Sequence, residues 1–210
     1  DVNRDVANGG CSIRDRNPPR KYRAGKGEAI VVGHDPAMSP TGDDAAFVVQ
    51  LLRRSGERVL LDAHAEKGMS PSGIKTQLRE YDRRYDPGLI VIEDNGVQQY
   101  IVEDAIEFSP ALRSKTTGLS TTSSKHSWEN GIPRLRTLVE SGGIQFYRGH
   151  GPTEDWIQAA LSLELSDGKL QGHTPDLVAA WYMAEQGLRR FEYAGDRDDA
   201  DDESNGVSYL

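Results

Sequence analysis

Residues 29–35 read Ala-Ile-Val-Val-Gly-His-Asp, a short apolar run that ends in a carboxylate. Such a run predicts a strand that leaves the sheet at Asp35. Two more strand-like runs follow at residues 46–52 and 58–63, and Arg-Arg-Ser-Gly-Glu at 53–57 has the composition of a hairpin turn. The chain is therefore predicted to begin its folded part with three successive antiparallel strands.

The second half of the chain alternates helices with strands. Leu-Ile-Val-Ile at 89–92 is a continuous apolar run, which is typical of a strand buried on both faces of a sheet. A helix is predicted to begin at Ser70-Pro71 and to end before Pro87, with Ile74, Leu78, Tyr81 and Tyr85 on its buried side. Further helices are predicted over 97–108, 131–140, 153–165 and 175–190, and a strand over 144–147. Together these elements predict an α/β fold with a mixed central sheet flanked by helices on both faces.

Composition limits the classes of protein that remain. The chain has 210 residues and one cysteine, Cys11, which excludes an internal disulfide and a cysteine-based zinc site. The longest apolar run, 177–184, is too short to span a bilayer, for which about 18 residues are needed. The net charge is −8, but residues 196–204 hold six acids and one arginine, so that the remaining residues carry only −3. The charge therefore does not exclude nucleic acid as a partner.

Carboxylates stand where three elements begin or end. Asp35 and Glu93 end two central strands, and Asp176 lies in the first turn of the last helix. Ligands bind at strand ends in open α/β sheets, and converging acids repel one another unless a hard divalent cation lies between them. Two such ions can activate water and stabilise the leaving oxygen in phosphodiester cleavage. These residues predict a two-metal nuclease using Mg²⁺ or Mn²⁺, although Asp35 also suits a turn and Asp176 a helix N-terminus.

Four motifs occur in an order that resembles a known family. They are Gly-His-Asp-Pro-Ala-Met-Ser-Pro-Thr-Gly-Asp-Asp-Ala-Ala at 33–46, Ile-Glu-Asp-Asn-Gly at 92–96, Lys125 ahead of a helix, and Gly-His-Thr-Pro-Asp-Leu-Val-Ala-Ala at 172–180. The chain resembles, over residues 28–190, the nuclease domain of the large terminase subunit of tailed double-stranded DNA viruses. The resemblance implies a ribonuclease H-like fold and an endonuclease that cuts concatemeric viral DNA during genome packaging.

The resemblance also implies a role for individual residues. It makes Asp35 the metal-bridging ligand, Glu93 the second ligand and Asp176 the third, and it adds Asp43 as a further acid near the metals. The family usually has two adjacent acids after the histidine, where this chain has Pro175-Asp176. This departure predicts that Asp176 takes over the role of the doublet and that the second metal is bound weakly.

Basic residues and partners follow from the same resemblance. Lys125, Arg134 and Arg148 are the candidate contacts to the DNA backbone, because lysine and arginine neutralise phosphates without reading sequence. The implied partners are double-stranded DNA, a portal, a small terminase subunit and an ATPase motor domain preceding residue 1, in the host cytoplasm and without a membrane. The chain itself contains no GxxxxGK[ST] pattern for ATP hydrolysis.

Three segments are predicted: a linker or arm over 1–26, the nuclease domain over 27–195 and an acidic disordered tail over 196–210. Two other functions fit the same residues. One is another ribonuclease H-like nuclease, of junction resolvase or transposase type. The other is a non-catalytic packaging-motor module that has lost its metal site. Binding of a divalent metal separates the enzymes from the non-catalytic module.

Overall fold

The architecture was obtained from a computed structural model of the chain. The structure describes residues 12–14, 20–36, 44–94, 110–121, 131–147, 150–166 and 169–204. The strands in these ranges are β1 (Ser12–Arg14), β2 (Ala29–Asp35), β3 (Asp44–Leu52), β4 (Arg58–Lys67), β5 (Leu89–Glu93), β6 (Thr116–Leu119), β7 (Ile144–Tyr147), β8 (Glu164–Ser166) and β9 (Lys169–Gln171). The helices are α1 (Pro71–Tyr85), α2 (Pro110–Arg113), α3 (Ile132–Glu140), α4 (Gly151–Leu161) and α5 (Asp176–Ser204).

Seven strands form one mixed sheet in the order β1-β7-β4-β3-β2-β5-β6, while β8 and β9 pair separately as a hairpin. β2, β3 and β4 are antiparallel neighbours, and β5 lies parallel to β2 on one side and to β6 on the other. The predicted mixed sheet and its three antiparallel strands are confirmed. Of the described helices, none combines the length and apolarity needed to cross a bilayer.

The hairpin between β3 and β4 forms where it was predicted. The Arg53 amide donates to the Glu57 carbonyl at 2.9 Å, and Gly56 adopts φ +83°, a conformation that glycine takes without steric cost. β4 continues four residues beyond the predicted end at Ala63, because its pairing with β3 persists to Asp44 opposite Lys67. The alternating small and charged residues at 63–67 lack the β-branched signal that marks the start of the strand.

The sheet separates two apolar cores. On one face, called the α5 face, β-strand residues such as Val31 and Val91 pack with Trp156 and Trp181, whose rings meet edge to face at 4.5 Å. Both tryptophans are buried. On the other face, called the α1 face, α1 packs against the alternate strand residues. The four apolar residues of α1 that were predicted to be buried are all buried there.

Helix α5 lies unusually close to the centre of the sheet. A β-carbon added at Gly33 of β2 would be closer than 3.0 Å to the backbone carbonyl of Ala180 and the backbone nitrogen of Ala184. One at Gly187 of α5 would meet Val31 Cγ1 within the same limit. Glycine at these two positions allows the helix to rest directly on the strand backbone, and this contact fixes the distance of α5 from β2.

The N-terminal segment differs from the predicted linker. β1 pairs in parallel with β7 and so extends the sheet at its edge. Tyr22 packs against the α1-face core, and the Arg23 guanidinium donates to the carbonyls of Arg83 at 3.0 Å and Arg84 at 2.8 Å. These carbonyls lie in the last turn of α1, where helix carbonyls lack intrahelical partners. Short polar segments of this kind carry no periodic apolar signal, so the sequence did not indicate them.

The C-terminal segment also differs from prediction. α5 does not end near residue 190 but continues to Ser204, across the first nine residues of the predicted disordered tail. Extending a helix that is already anchored in a core requires no new nucleation, so helix propagation overrides the like-charge repulsion expected of the acidic stretch. The predicted helix over 97–108 and residues 205–210 lie outside the described residues.

Candidate metal centre

Asp35 and Glu93 end neighbouring parallel strands at the same rim of the sheet. The register of β2 with β5 runs from Val31 opposite Leu89 to His34 opposite Ile92, so that Asp35 and Glu93 are the next residues on the two strands. Adjacent strands are about 4.8 Å apart. The backbone therefore brings these two predicted ligands side by side.

Both carboxylates also belong to the same face. Side chains alternate between faces along a strand. On β2, Val31 and Gly33 meet the α5 side, which puts Asp35 there as well. On β5, Val91 belongs to the α5-face core, which puts Glu93 on that face too. The pairing of the two acids is thus set by register and by strand alternation together.

Glu93 is buried, with 4% of its surface exposed, and the Thr121 hydroxyl donates a hydrogen bond to its Oε1. Thr121 is itself buried and follows β6, the strand next to β5. An ionised carboxylate is costly to bury unless it is hydrogen-bonded or bound to a cation. Thr121 satisfies part of that requirement and orients the carboxylate.

Asp176 reaches the same rim from α5. Its Oδ2 accepts a hydrogen bond of 2.8 Å from the backbone amide of Asp44, the first residue of β3. β3 pairs with β2 through Asp35 opposite Ala46, so Asp44 lies two residues beyond that pair, at the rim. The amides of Val178 and Ala179 donate to the Pro175 carbonyl, which shows that the helix begins there. The three predicted ligands therefore come to one rim on the α5 face.

The donor set suits a hard divalent cation, because Asp35, Glu93 and Asp176 offer carboxylate oxygens only. Within the described ranges, however, no three acidic, histidine or cysteine side chains stand close enough together to form a ready-made metal cluster. Asp176 is held at the rim by the hydrogen bond from the Asp44 amide to its Oδ2. Asp43, the fourth predicted ligand, lies outside the described residues.

His34 is the buried neighbour of Asp35 on the opposite face. Its ring stacks on Phe47 at 4.1 Å with an interplanar angle of 5°, and its Nδ1 donates to the Ala46 carbonyl at 2.8 Å. Burial lowers the pKa of His34 to about 4, against the smaller opposing effect of the hydrogen bond to Ala46. The imidazole is therefore neutral at pH 7 and joins β2 to β3 directly beside the rim.

A family comparison decides what this fold is. The sequence profile of the terminase RNaseH-like domain matches residues 32–193, which include all three carboxylates. The chain belongs to the terminase RNase H-like domain family. No curated protein sequence matched the chain.

Solved structures of terminase nucleases share the fold. The large terminase nuclease of the thermophilic phage G20c is 14% identical and superposes with a TM-score of 0.57, covering 85% of this chain and 94% of that one. The human cytomegalovirus terminase nuclease domain is 15% identical, with a TM-score of 0.55 and coverages of 77% and 83%. The nuclease domain of the large terminase subunit gp2 of bacterial virus Sf6 is 13% identical, with a TM-score of 0.53 and coverages of 77% and 88%. The terminase domain described here therefore has the ribonuclease H-like fold that was predicted.

Of the three basic residues predicted to contact DNA, the structure describes only Arg134. Lys125 and Arg148 lie outside the described residues. Arg134 is exposed on α3 and lies near Arg189, whose pKa is lowered by burial and by repulsion from Arg134. Arg189 follows Asp176 by thirteen residues on α5, or about 20 Å along the helix. Arg134 is therefore remote from the carboxylates.

Two residues at the terminase rim were missed by sequence reasoning. Thr121 has no sequence motif that marks it, and its contact with Glu93 depends on β6, which was not predicted. The sequence predicted Asp43, in the Thr-Gly-Asp turn, as the further acid at the site and assigned no role to Asp44. The signal that was available for Asp44 was its place in an acidic doublet directly before a β-rich run.

Proposed function

We propose that this terminase domain is a divalent-metal-dependent endodeoxyribonuclease that cleaves double-stranded DNA by two-metal phosphodiester hydrolysis. The observation that carries the proposal is the placement of Asp35 and Glu93 on one face at the ends of adjacent parallel strands, with Asp176 entering the same rim from α5. Family membership supports the same chemistry. So do solved structures of the G20c nuclease with bound magnesium, cobalt and zinc.

The residues of the chain have distinct tasks in this proposal. Asp35, Glu93 and Asp176 hold Mg²⁺ or Mn²⁺, with Asp43 as an additional ligand. When bound, two such ions supply an activated water and stabilise negative charge on the leaving oxygen. β2 and β5 hold two of the carboxylates on rigid backbone, and Thr121 orients Glu93. The Asp44 amide holds Asp176 at the rim until it is needed as a ligand.

The wider role follows from the family. We propose that the substrate is concatemeric viral DNA and that cleavage accompanies genome packaging in the host cytoplasm. The partners of the domain are then an ATPase motor domain preceding residue 1 in the full-length chain, the portal and the small terminase subunit. Lys125, Arg134 and Arg148 remain predicted contacts to the DNA backbone.

A plasmid-nicking assay with Mg²⁺, Mn²⁺ and EDTA tests the chemistry. Asp35→Asn and Glu93→Gln should each reduce cleavage by at least about 100-fold, because each removes a charged metal ligand. Their unfolding temperatures should stay near or above wild type, since one of several mutually repelling acids is neutralised. Calorimetric titration with Mn²⁺ should show weaker metal binding in both variants.

Asp94→Asn is the matched control. Asp94 is adjacent to Glu93 in sequence but belongs to the α1 face, where its side chain lies beside Gly118. The Asp94→Asn protein should therefore cleave plasmid like wild type. Equal losses of cleavage activity in Asp94→Asn and Glu93→Gln would contradict the assignment of Glu93 to the α5 face and of Asp94 to the α1 face. A wild-type protein that neither binds Mn²⁺ nor nicks plasmid would favour the non-catalytic packaging module.

A further inference from the structure

Lys67 is the last residue of β4 and is exposed. Ala63 packs in the α5-face core and Ala65 packs against it. Strand alternation therefore assigns Lys67 to the same face. Lys67 pairs with Asp44 in the antiparallel ladder between β3 and β4, and the backbone amide of Asp44 donates to Asp176. The sequence predicted a strand that ends at residue 63, and Lys67 was therefore not expected at the rim.

The strand order gives the spacing between Lys67 and the carboxylates. β5, β2, β3 and β4 are consecutive in the sheet, so their rim residues form a row of Glu93, Asp35, Asp44 and Lys67. Asp35 pairs with Ala46 and Ala46 with Ala65, so Lys67 lies two strands across from Asp35 and two residues further along, or about 12 Å away at about 4.8 Å per strand and about 3.3 Å per residue. Phosphates on one DNA strand advance about 3.4 Å each along the axis, the smallest separation per step, so this distance spans at most about four phosphate steps.

The surroundings of Lys67 suit an anion. Among the described residues no carboxylate forms an ion pair with it, and the nearby Glu66 interacts instead with His64 at 3.4 Å. Directly after Lys67, Gly68 turns the chain at φ +66° into α1. The first turn of α1 contains no acidic residue, so the positive end of the helix dipole is not neutralised there. The β4–α1 corner is thus the positive border of an otherwise acidic rim.

We propose that Lys67 binds a backbone phosphate of the DNA strand being cut, within about four nucleotides of the scissile bond. If Lys67 makes this contact, the DNA strand crosses the rim in the direction from β5 to β4. The inference rests on the proposed nuclease function, because it takes the carboxylates as the point of cleavage. A lysine–phosphate contact positions DNA without reading its sequence.

Equilibrium binding of a fluorescent 30-bp duplex in Ca²⁺ at several salt concentrations tests this role. Lys67→Ala should reduce the slope of log K against log salt by about 0.9 and weaken binding about eightfold at 0.1 M salt. Lys67→Arg should retain both. Plasmid cleavage in Mg²⁺ by Lys67→Ala should show a raised KM and a kcat close to wild type, because the phosphate contacted is not the reacting one.

Lys26→Ala is the control, since Lys26 is exposed at the opposite end of the sheet, just before β2 begins. It should match wild type in slope and in KM. A Lys67→Ala slope equal to that of Lys26→Ala overturns the proposal, as does a wild-type protein that does not bind duplex. A Lys67-dependent slope in a protein that binds DNA but does not cleave it supports the contact and contradicts the nuclease function, so the two failures are distinguishable.

Discussion

Gly33→Ala is a small substitution that should move α5, which carries Asp176, away from β2, which carries Asp35. The new β-carbon would overlap the Ala180 carbonyl and the Ala184 nitrogen, and it would stand 3.0 Å from the Ala184 α-carbon. All three atoms belong to the helix backbone, so no side-chain rotation can relieve the overlap. Carbon atoms pack at about 3.5–4.0 Å, which requires α5 to move by about 1 Å or more.

That displacement has a cost in stability and a larger one in activity. Overpacking a core typically costs about 1–3 kcal/mol, and a clash with backbone on both sides belongs at the upper end of that range. For a chain of this size, about 3 kcal/mol corresponds to a fall in Tm of about 6–12 °C. Asp176 is on the same helix, four residues before Ala180. A misplacement of about 1 Å can reduce turnover by about 100-fold.

Thermal unfolding followed by circular dichroism, together with the plasmid-nicking assay, measures both effects. Gly151→Ala is the control, because a β-carbon there meets nothing within 4 Å and the residue begins α4 without a positive φ. It should keep or slightly raise the Tm. A Gly33→Ala protein with the Tm and activity of wild type would refute the close approach of α5 to β2 and, with it, the placement of Asp176.

Two further predictions concern buried charge. The pKa of His34, about 4, lies below its ordinary value of 6.5, so the unfolded chain binds the proton more tightly. Wild type should therefore lose about 2.5 kcal/mol more stability than His34→Asn as the pH falls from 6.5 to 4 in urea titrations, and parallel pH profiles would contradict this. Arg58 donates to buried Glu185 at 2.9 Å. Arg58→Met should lower unfolding free energy by about 3–5 kcal/mol, and Glu185→Leu added to it should restore most of the loss; no recovery would argue against the pair.

The sequence predicted the parts of the fold that depend on local pattern. β-branched runs marked β2 and β5, and helical spacing marked the buried side of α1, because burial of one face leaves a period in the sequence. The same pattern placed Asp35 and Glu93 at strand ends. The motif order then identified the family, which the fold alone does not determine.

What the sequence did not predict depends on contacts between distant segments. The extension of β4 to Lys67 follows from pairing with β3, not from the propensity of residues 63–67. Thr121 meets Glu93 only because β6 lies beside β5, and β6 is four residues long. The orientation of Asp176 by the Asp44 amide joins residues 132 positions apart. Register and tertiary packing decide such contacts, and a single sequence carries little record of either.

The length of α5 gives the molecule an electrostatic polarity. Residue 196, where the acid-rich stretch begins, is twenty residues along the helix from Asp176, or about 30 Å. Screening at physiological salt acts over about 8 Å, so a duplex at the rim is shielded from that stretch. Most of the net charge of −8 therefore lies too far along the helix to oppose a polyanion at the carboxylate row.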